Sequence, residues 1–237
     1  KAYEASIHFD SSLEFWPYFR DADQMAMEAR EYATVFVDVE NIPMHSRTLS
    51  ISNQFFENQV FEYLTRSNIR PFVYFYSAGA TEKPARGPDH IVRMIFDEFV
   101  VGQAYVKETV RERRKDSVII GSVLVNRESS VDVYGTVEAE MHQFRKEVIS
   151  SGLLDVQIVD AYTGEVLTQR KFPGTFVWED FWGFFNGDER ALDSEDQRYL
   201  RKKQPSMPPP PQQLFVEFTK PIYDQLVGFY RSYYTSF

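Results

Sequence analysis

The chain has 237 residues, of which 43% are hydrophobic, a formal net charge of -9 and no cysteine. This acidic balance argues against nucleic acid as a general partner, because binding phosphate groups needs a basic face. The absence of cysteine excludes disulfides, thiolate metal sites and cysteine nucleophiles. No apolar run reaches the roughly 20 residues of a membrane-spanning helix. Because the chain starts with Lys1 rather than Met, we expect that a segment upstream has been removed. We expect contact with a membrane only through an anchor in such a segment.

The first predicted element is a helical segment over residues 1–33. SSLEFWPYFRDADQMAMEAREYA places five apolar residues at alternating spacings of four and three, which is one face of a helix: Phe15, Phe19, Ala22, Ala26 and Ala29. Ser11 or Ser12 is available as the N-cap.

A β-α-β unit is predicted next. TVFVDVE (34–40) and PFVYFY (71–76) are rich in the residues that favour strands, and Phe56, Val60 and Leu64 recur at every fourth position between them. This order predicts two neighbouring parallel strands joined by a helix in a right-handed crossover.

From His90 onward the periodicity changes to alternation of polar and apolar residues, in runs at 90–110, 116–126, 131–149, 153–159 and 166–172. Alternation indicates strands with one wet face and therefore antiparallel pairing. A last helix is expected to start with Thr219 as its cap and Pro221 in its first turn. We therefore predict an α+β fold, with a mixed, mostly antiparallel sheet backed by helices including the C-terminal one. It forms a single domain over 34–237, with an aromatic and proline-rich insert at about 173–214.

The chain offers few candidates for chemistry. Its four histidines are scattered (His8, His45, His90 and His142), and no glycine-rich phosphate loop is present, so we predict no metal site and no cofactor. Glu138 and Glu140 share one face of a strand, a geometry that two-carboxylate glycosidases can use when a partner lies opposite, but a solvated face with a cross-strand cationic partner is the favoured interpretation. The basic run KETVRERRKDS is interpreted as a solvated strand end or hairpin rim.

The densest aromatic stretch is FVWEDFWGFFNGDERAL, residues 176–192. Two interpretations stay open: these rings close the core over one sheet face, or they form an exposed platform for a partner or a sugar. If the stretch is exposed, Trp178, Trp182 and Phe184 are the predicted anchors for binding.

DAYTGEVL, residues 160–167, predicts a β-hairpin. Asp160 can accept hydrogen bonds from the backbone of its own turn, and Gly164 supplies a position with positive φ. With the order of elements around it, this hairpin resembles a group of exported bacterial envelope proteins. The group includes the curli secretion-channel lipoprotein, the lipoprotein activator of a peptidoglycan synthase and the amino-terminal domain of the Tol propeller protein.

The resemblance covers about residues 34–172 and the last helix. The aromatic stretch and the proline run have no counterpart in those families. They look more like segments of uncharacterised exported bacterial proteins, and this resemblance implies no activity. What the resemblance implies is a location in the cell envelope, periplasmic or at the outer membrane, and a non-enzymatic module that binds another protein or associates with itself. The alternative hypothesis is a carbohydrate-active or hydrolytic enzyme that uses Glu138 and Glu140 beside the aromatic residues.

Overall fold

The computed structural model describes residues 1–17, 19–43, 51–67, 69–77, 79–80, 83–126 and 129–236. Its strands form one five-stranded mixed sheet in the order β2-β1-β3-β4-β5, accompanied by helices. The predicted α+β class is therefore confirmed. His45, one of the four histidines considered above, lies outside the described residues.

The N-terminal segment forms two helices rather than the predicted single one. Helix α1 spans Ala2–Phe15 and helix α2 spans Ala22–Ala33. Pro17 lies in the break, as expected for a residue that cannot continue a helix. Ala22 and Ala26 are buried as predicted, but Phe15 is 90% exposed, so the proposed common face was wrong for the aromatic residues before the break.

The β-α-β unit is present as predicted. Strand β1 spans Val35–Val39, helix α3 spans Gln54–Arg66 and strand β2 spans Val73–Ser77, with β1 parallel to β2. The predicted helix face of Phe56, Val60 and Leu64 is buried. Strand β1 also pairs in parallel with the start of β3, where Val37 lies opposite His90.

Three long strands replace the five shorter ones predicted after His90. They are β3 (His90–Asn126), β4 (Ser129–Asp160) and β5 (Val166–Gly187). Gly102 and Ser117 adopt positive φ inside β3 without ending it. Strand β5 continues through the aromatic stretch as far as Gly187, and a turn of 3-10 helix (Glu189–Ala191) and helix α4 (Asp196–Leu200) follow.

The turn between β4 and β5 has the predicted chemistry. Asp160 Oδ1 accepts hydrogen bonds from the backbone N–H groups of Tyr162 (2.9 Å) and Thr163 (2.8 Å). Gly164 has φ +73°, and its N–H donates to the carbonyl oxygen of Asp160 at 2.9 Å. The turn bonds, led by the Thr163 N–H, lower the pKa of Asp160.

The chain divides into two compact units, each assembled from separated segments. Unit 1 comprises 1–100, 151–175 and 211–237, and unit 2 comprises 101–150 and 176–210. Each of the long strands contributes residues to both units.

Helix α5 (Pro211–Ser236) supplies much of the core of unit 1, through the fully buried side chains of Phe215, Phe218, Ile222, Leu226, Tyr230 and Tyr234. The helix begins at Pro211 and not, as predicted, at Thr219. Proline suits the first turn of a helix, and the hydroxyl of Thr219 donates to the Val216 carbonyl within the helix at 2.9 Å instead of capping it. Within the described residues, no helix is long and apolar enough to cross a membrane.

Candidate binding surface

In unit 2, strand β4 has one buried and one open face, as its alternation predicted. Val137, Ala139 and Met141 are buried, whereas Glu138 and Glu140 are exposed. Val118, Phe185 and Leu192 pack against the buried side. The open face is therefore the side of β4 on which a binding surface can form.

A buried ion pair holds the segment that follows β5 against the covered side. Arg113 donates to both carboxylate oxygens of Asp196, at 2.8 and 2.9 Å, and Gln143 donates to the same carboxylate at 2.8 Å. Burial tends to raise the pKa of Asp196, but these donors and the Asp193 N–H outweigh it, so the pKa is lowered. The interpretation of the basic run as a solvated rim is wrong for Arg113, whose guanidinium is mostly buried.

A second buried carboxylate secures the segment after α4. Asp180 accepts from Lys202 Nζ at 2.6 Å and from the backbone N–H of Ser206 at 2.5 Å. The guanidinium of Arg198 lies 4.0 Å from the centre of the Phe181 ring. Residues 189–206 therefore cover one side of the aromatic stretch. Phe181 and Phe185 lie on this covered side and belong to the core rather than to an exposed surface.

The other side of the stretch is open and carries a row of stacked rings. Phe144 stacks on Trp182 with ring centres 5.3 Å apart and planes within 5°, and it lies 6.1 Å from Phe184. Phe184 in turn stacks on His142 at 4.4 Å. We call His142, Phe144, Trp182 and Phe184 the aromatic strip. Phe184 is 47% exposed, so the strip is a surface feature.

His142 is held between two carboxylates at one end of the strip. Its Nδ1 lies 2.9 Å from Glu108 Oε1, and its Nε2 lies 2.9 Å from Glu140 Oε1. An imidazole can donate from both nitrogens only when it is protonated. The hydrogen bonds to Glu108 and then to Glu140 accordingly raise the pKa of His142. The strip thus ends in an imidazole that lies between two acidic side chains.

Of the predicted anchors, the structure brings Trp182 and Phe184 together and leaves Trp178 half-buried further along β5. The sequence analysis missed Phe144 and Glu108. Phe144 continues the predicted β4 face by one further alternation after His142, which is a signal that could have found it. Glu108 could not be found in this way, because it reaches His142 from another strand.

Glu138 and Glu140 line a cleft of about 410 Å³ in unit 2, together with Glu112, Arg114 and Asn186. Glu138 lies 3.8 Å from Arg114 and its side chain is 71% exposed, while Glu140 is bonded to His142. The carboxylates of Glu138 and Glu140 are both exposed rather than buried. Among the described residues, no group of three His, Asp or Glu side chains is placed to hold a metal ion.

No protein-family model matches the chain, and no curated protein does so. Among solved structures, one similar chain is a protein of Helicobacter pylori named as a neuraminyllactose-binding hemagglutinin homolog. It is 10% identical, with 84% of each chain covered and a TM-score of 0.35. A similarity of this extent assigns no function.

Proposed function

We propose that the protein is a non-enzymatic binding module and that the aromatic strip is its contact surface for a protein partner. The observation that carries this proposal is the stack of Phe144, Trp182 and Phe184 on two neighbouring strands, in which Phe184 is exposed and the other two rings are half-buried. Large rings on rigid strands lose little conformational freedom on binding, and aromatic residues are the commonest anchors of protein interfaces.

The surroundings of the strip also suit a protein interface. Glu108 and Glu140 provide a charged rim beside the apolar rings, which is the usual arrangement of such surfaces. The rim is predominantly acidic, so we expect a partner with basic side chains around an apolar patch.

We further propose that this module works in the bacterial cell envelope. Support for that location comes from the resemblance of the Asp160–Leu167 hairpin and of the element order to exported envelope proteins.

The test is affinity capture of envelope proteins by the purified chain, comparing wild type with Trp182→Ala and Phe184→Ala. We expect each variant to weaken capture by about fivefold or more, since anchor truncations cost more than about 1 kcal/mol. Trp16→Ala is the matched control, because Trp16 is an exposed tryptophan of unit 1. Circular dichroism must show an unchanged fold; capture that survives both strip variants would overturn the proposal.

A carbohydrate-active enzyme is the second candidate, and the cleft shared by Glu138 and Glu140 beside the strip is the observation that favours it. The variant Glu138→Gln separates the two, because Glu138 lines the cleft whereas Glu140 is bonded to His142 of the strip. Loss of glycan hydrolysis with intact partner capture would support the enzyme, whereas the binding module requires neither carboxylate for catalysis.

A further inference from the structure

Strands β3 and β4 continue beyond the end of β5 as a two-stranded ribbon. Strand β5 ends at Gly187, and the N–H of Asp188 then donates to the carbonyl oxygen of Glu138 at 2.9 Å. We define the ribbon as residues 117–126 of β3 and 129–135 of β4, all in unit 2. The residues between them, 127 and 128, lie outside the described chain.

The ribbon carries apolar side chains on both faces, unlike the rest of β4. Ile120 and Leu124 lie on one face of β3, and Val123 and Val125 lie on the other. All four are exposed, to 76% for Leu124 and 64% for Val125. Further exposed apolar residues of the ribbon are Ile119, Val131, Val133 and Tyr134. An isolated ribbon in water should have at least one polar face, whereas the polar side chains of this one are few, with Ser130 and Asp132 on one face of β4.

No strand pairs with either edge of the ribbon within the described residues, although the guanidinium of Arg190 donates to the carbonyl oxygen of Ile119 at 2.5 Å. The sheet order places β5 beside β4, but β5 stops at Gly187, before the ribbon. The sheet order also places β1 beside β3, but the pairing of these two strands ends at Val92, before the ribbon begins. Within the described residues, no further strand runs along the ribbon. Open, apolar, uncharged edges are the surfaces through which strands pair with other chains.

The exposed area is large enough to take part in an interface. Aliphatic side chains hide roughly 100 Å² of apolar area each when fully buried, so eight half-exposed residues leave on the order of 400 Å² open. An area of about 400 Å² matches the largest apolar patch of a typical monomer, which is often functional. It is about half of the roughly 800 Å² that one partner buries in a standard interface, before the backbone edges are counted.

We propose that the ribbon is the site at which a second copy of this chain binds, by pairing strand edge to strand edge. Charge supports this occupant. The chain carries a net charge of -9, yet Asp132 is the one charged side chain among the described ribbon residues. Two copies can therefore approach there with little like-charge repulsion, while a strongly charged partner would find nothing complementary.

The open backbone edges favour a protein strand over a lipid surface. Every unpaired N–H and C=O group that is moved into hydrocarbon costs several kcal/mol, because lipid tails offer no hydrogen bonds. The ribbon of a second copy supplies the missing donors and acceptors together with a matching apolar face.

Sedimentation velocity over a range of protein concentrations tests the proposal, with wild type compared with the double variant Leu124→Lys, Val125→Lys. We expect concentration-dependent association of the wild type and an increase in the dissociation constant of about 100-fold or more in the variant, since like charges would then face each other across the contact. The matched control is Tyr105→Lys, Val106→Lys, an exposed neighbouring pair on the same strand outside the ribbon. It should associate like the wild type.

Disulfide trapping gives an independent readout because the chain has no cysteine. Oxidised Val125→Cys should form covalent dimers, and Val106→Cys should remain monomeric. A wild type that stays monomeric, equal losses in both double variants, or flotation of monomers with phosphatidylethanolamine–phosphatidylglycerol vesicles would overturn the proposal. The strip variants Trp182→Ala and Phe184→Ala should still self-associate, so that failure of partner capture and failure of self-association are separate outcomes.

Discussion

The two units are stabilised by different chemistry. In unit 1 the central contacts are between buried rings, such as those joining Phe96 to Phe215 (5.6 Å) and Phe215 to Phe218 (5.1 Å). In unit 2 the apolar cluster is small, and buried carboxylates hold the covering segment through Arg113 and Lys202. Because a few buried ion pairs hold the covering segment of unit 2 in place, the aromatic residues on the other face are not all needed for its core and some stay exposed.

The largest expected effect comes from unit 1. Phe218→Ala removes a ring buried among Phe96, Phe215 and the backbone of Gly152, and we expect it to lower the free energy of unfolding by about 4 kcal/mol. Chemical denaturation monitored by circular dichroism measures this loss. Phe15→Ala, at an exposed position, should change stability by less than about 0.5 kcal/mol. Equal effects of the two substitutions would contradict the assigned core.

Asp196→Ala should give a somewhat smaller effect, in unit 2. It leaves the guanidinium of Arg113 buried without its main partner, and breaking such a pair costs about 3 kcal/mol. Tryptophan fluorescence in a Trp16→Phe background reports this loss through Trp178 and Trp182. The adjacent Glu195→Ala, which removes an exposed pair with Arg111, should cost less than about 1 kcal/mol.

The Asp196 carboxylate also makes the stability of unit 2 dependent on pH. The pKa of Asp196 is lower in the folded chain than the ordinary value of 3.8, so its stabilising contribution is complete above that value and is lost as the pH falls through the folded pKa. In the Asp196→Ala variant, the stability of unit 2, followed by tryptophan fluorescence, should therefore fall less steeply as the pH is lowered. If the variant and the wild type unfold identically on acidification, other carboxylates are responsible for the acid sensitivity of unit 2.

The smallest effect is expected at the turn between β4 and β5. Gly164→Ala places a Cβ at φ +73°, where no neighbouring atom lies within 4 Å, so the cost is backbone strain alone, about 1 kcal/mol. Chemical denaturation followed by circular dichroism measures it. Gly121→Ala, also in open space but without positive φ, is the control and should lose less. A larger loss at Gly121 would refute the argument from conformation.

The sequence predicted the features that depend on neighbouring residues. The Asp160–Gly164 turn, the buried helix face of α3 and the open face at Glu138 and Glu140 follow from local spacing. Features that depend on distant segments were missed. The Arg113–Asp196 pair joins residues 83 positions apart, and the Glu108–His142 contact joins residues 34 positions apart. No periodicity within one element indicates such contacts.

Strand length and helix starts were misjudged for a related reason. The predicted runs 90–110 and 116–126 join in β3, and the runs 131–149 and 153–159 join in β4, because each strand is paired with the other. Pro221 looks like a helix start, but the apolar face of α5 extends back to Leu214 and Phe215, and their burial draws the preceding turn into the helix.

The interleaving of the two units has a consequence for synthesis of the chain. All residues of unit 2 have been translated once the ribosome reaches residue 210, whereas unit 1 still lacks α5 at that moment. The apolar sheet residues Val37, Val92 and Phe96, which end up buried, then await a helix that has not been made. Unit 1 therefore completes its core only once α5, the last of its three segments in the chain, has been made and packs against Phe96.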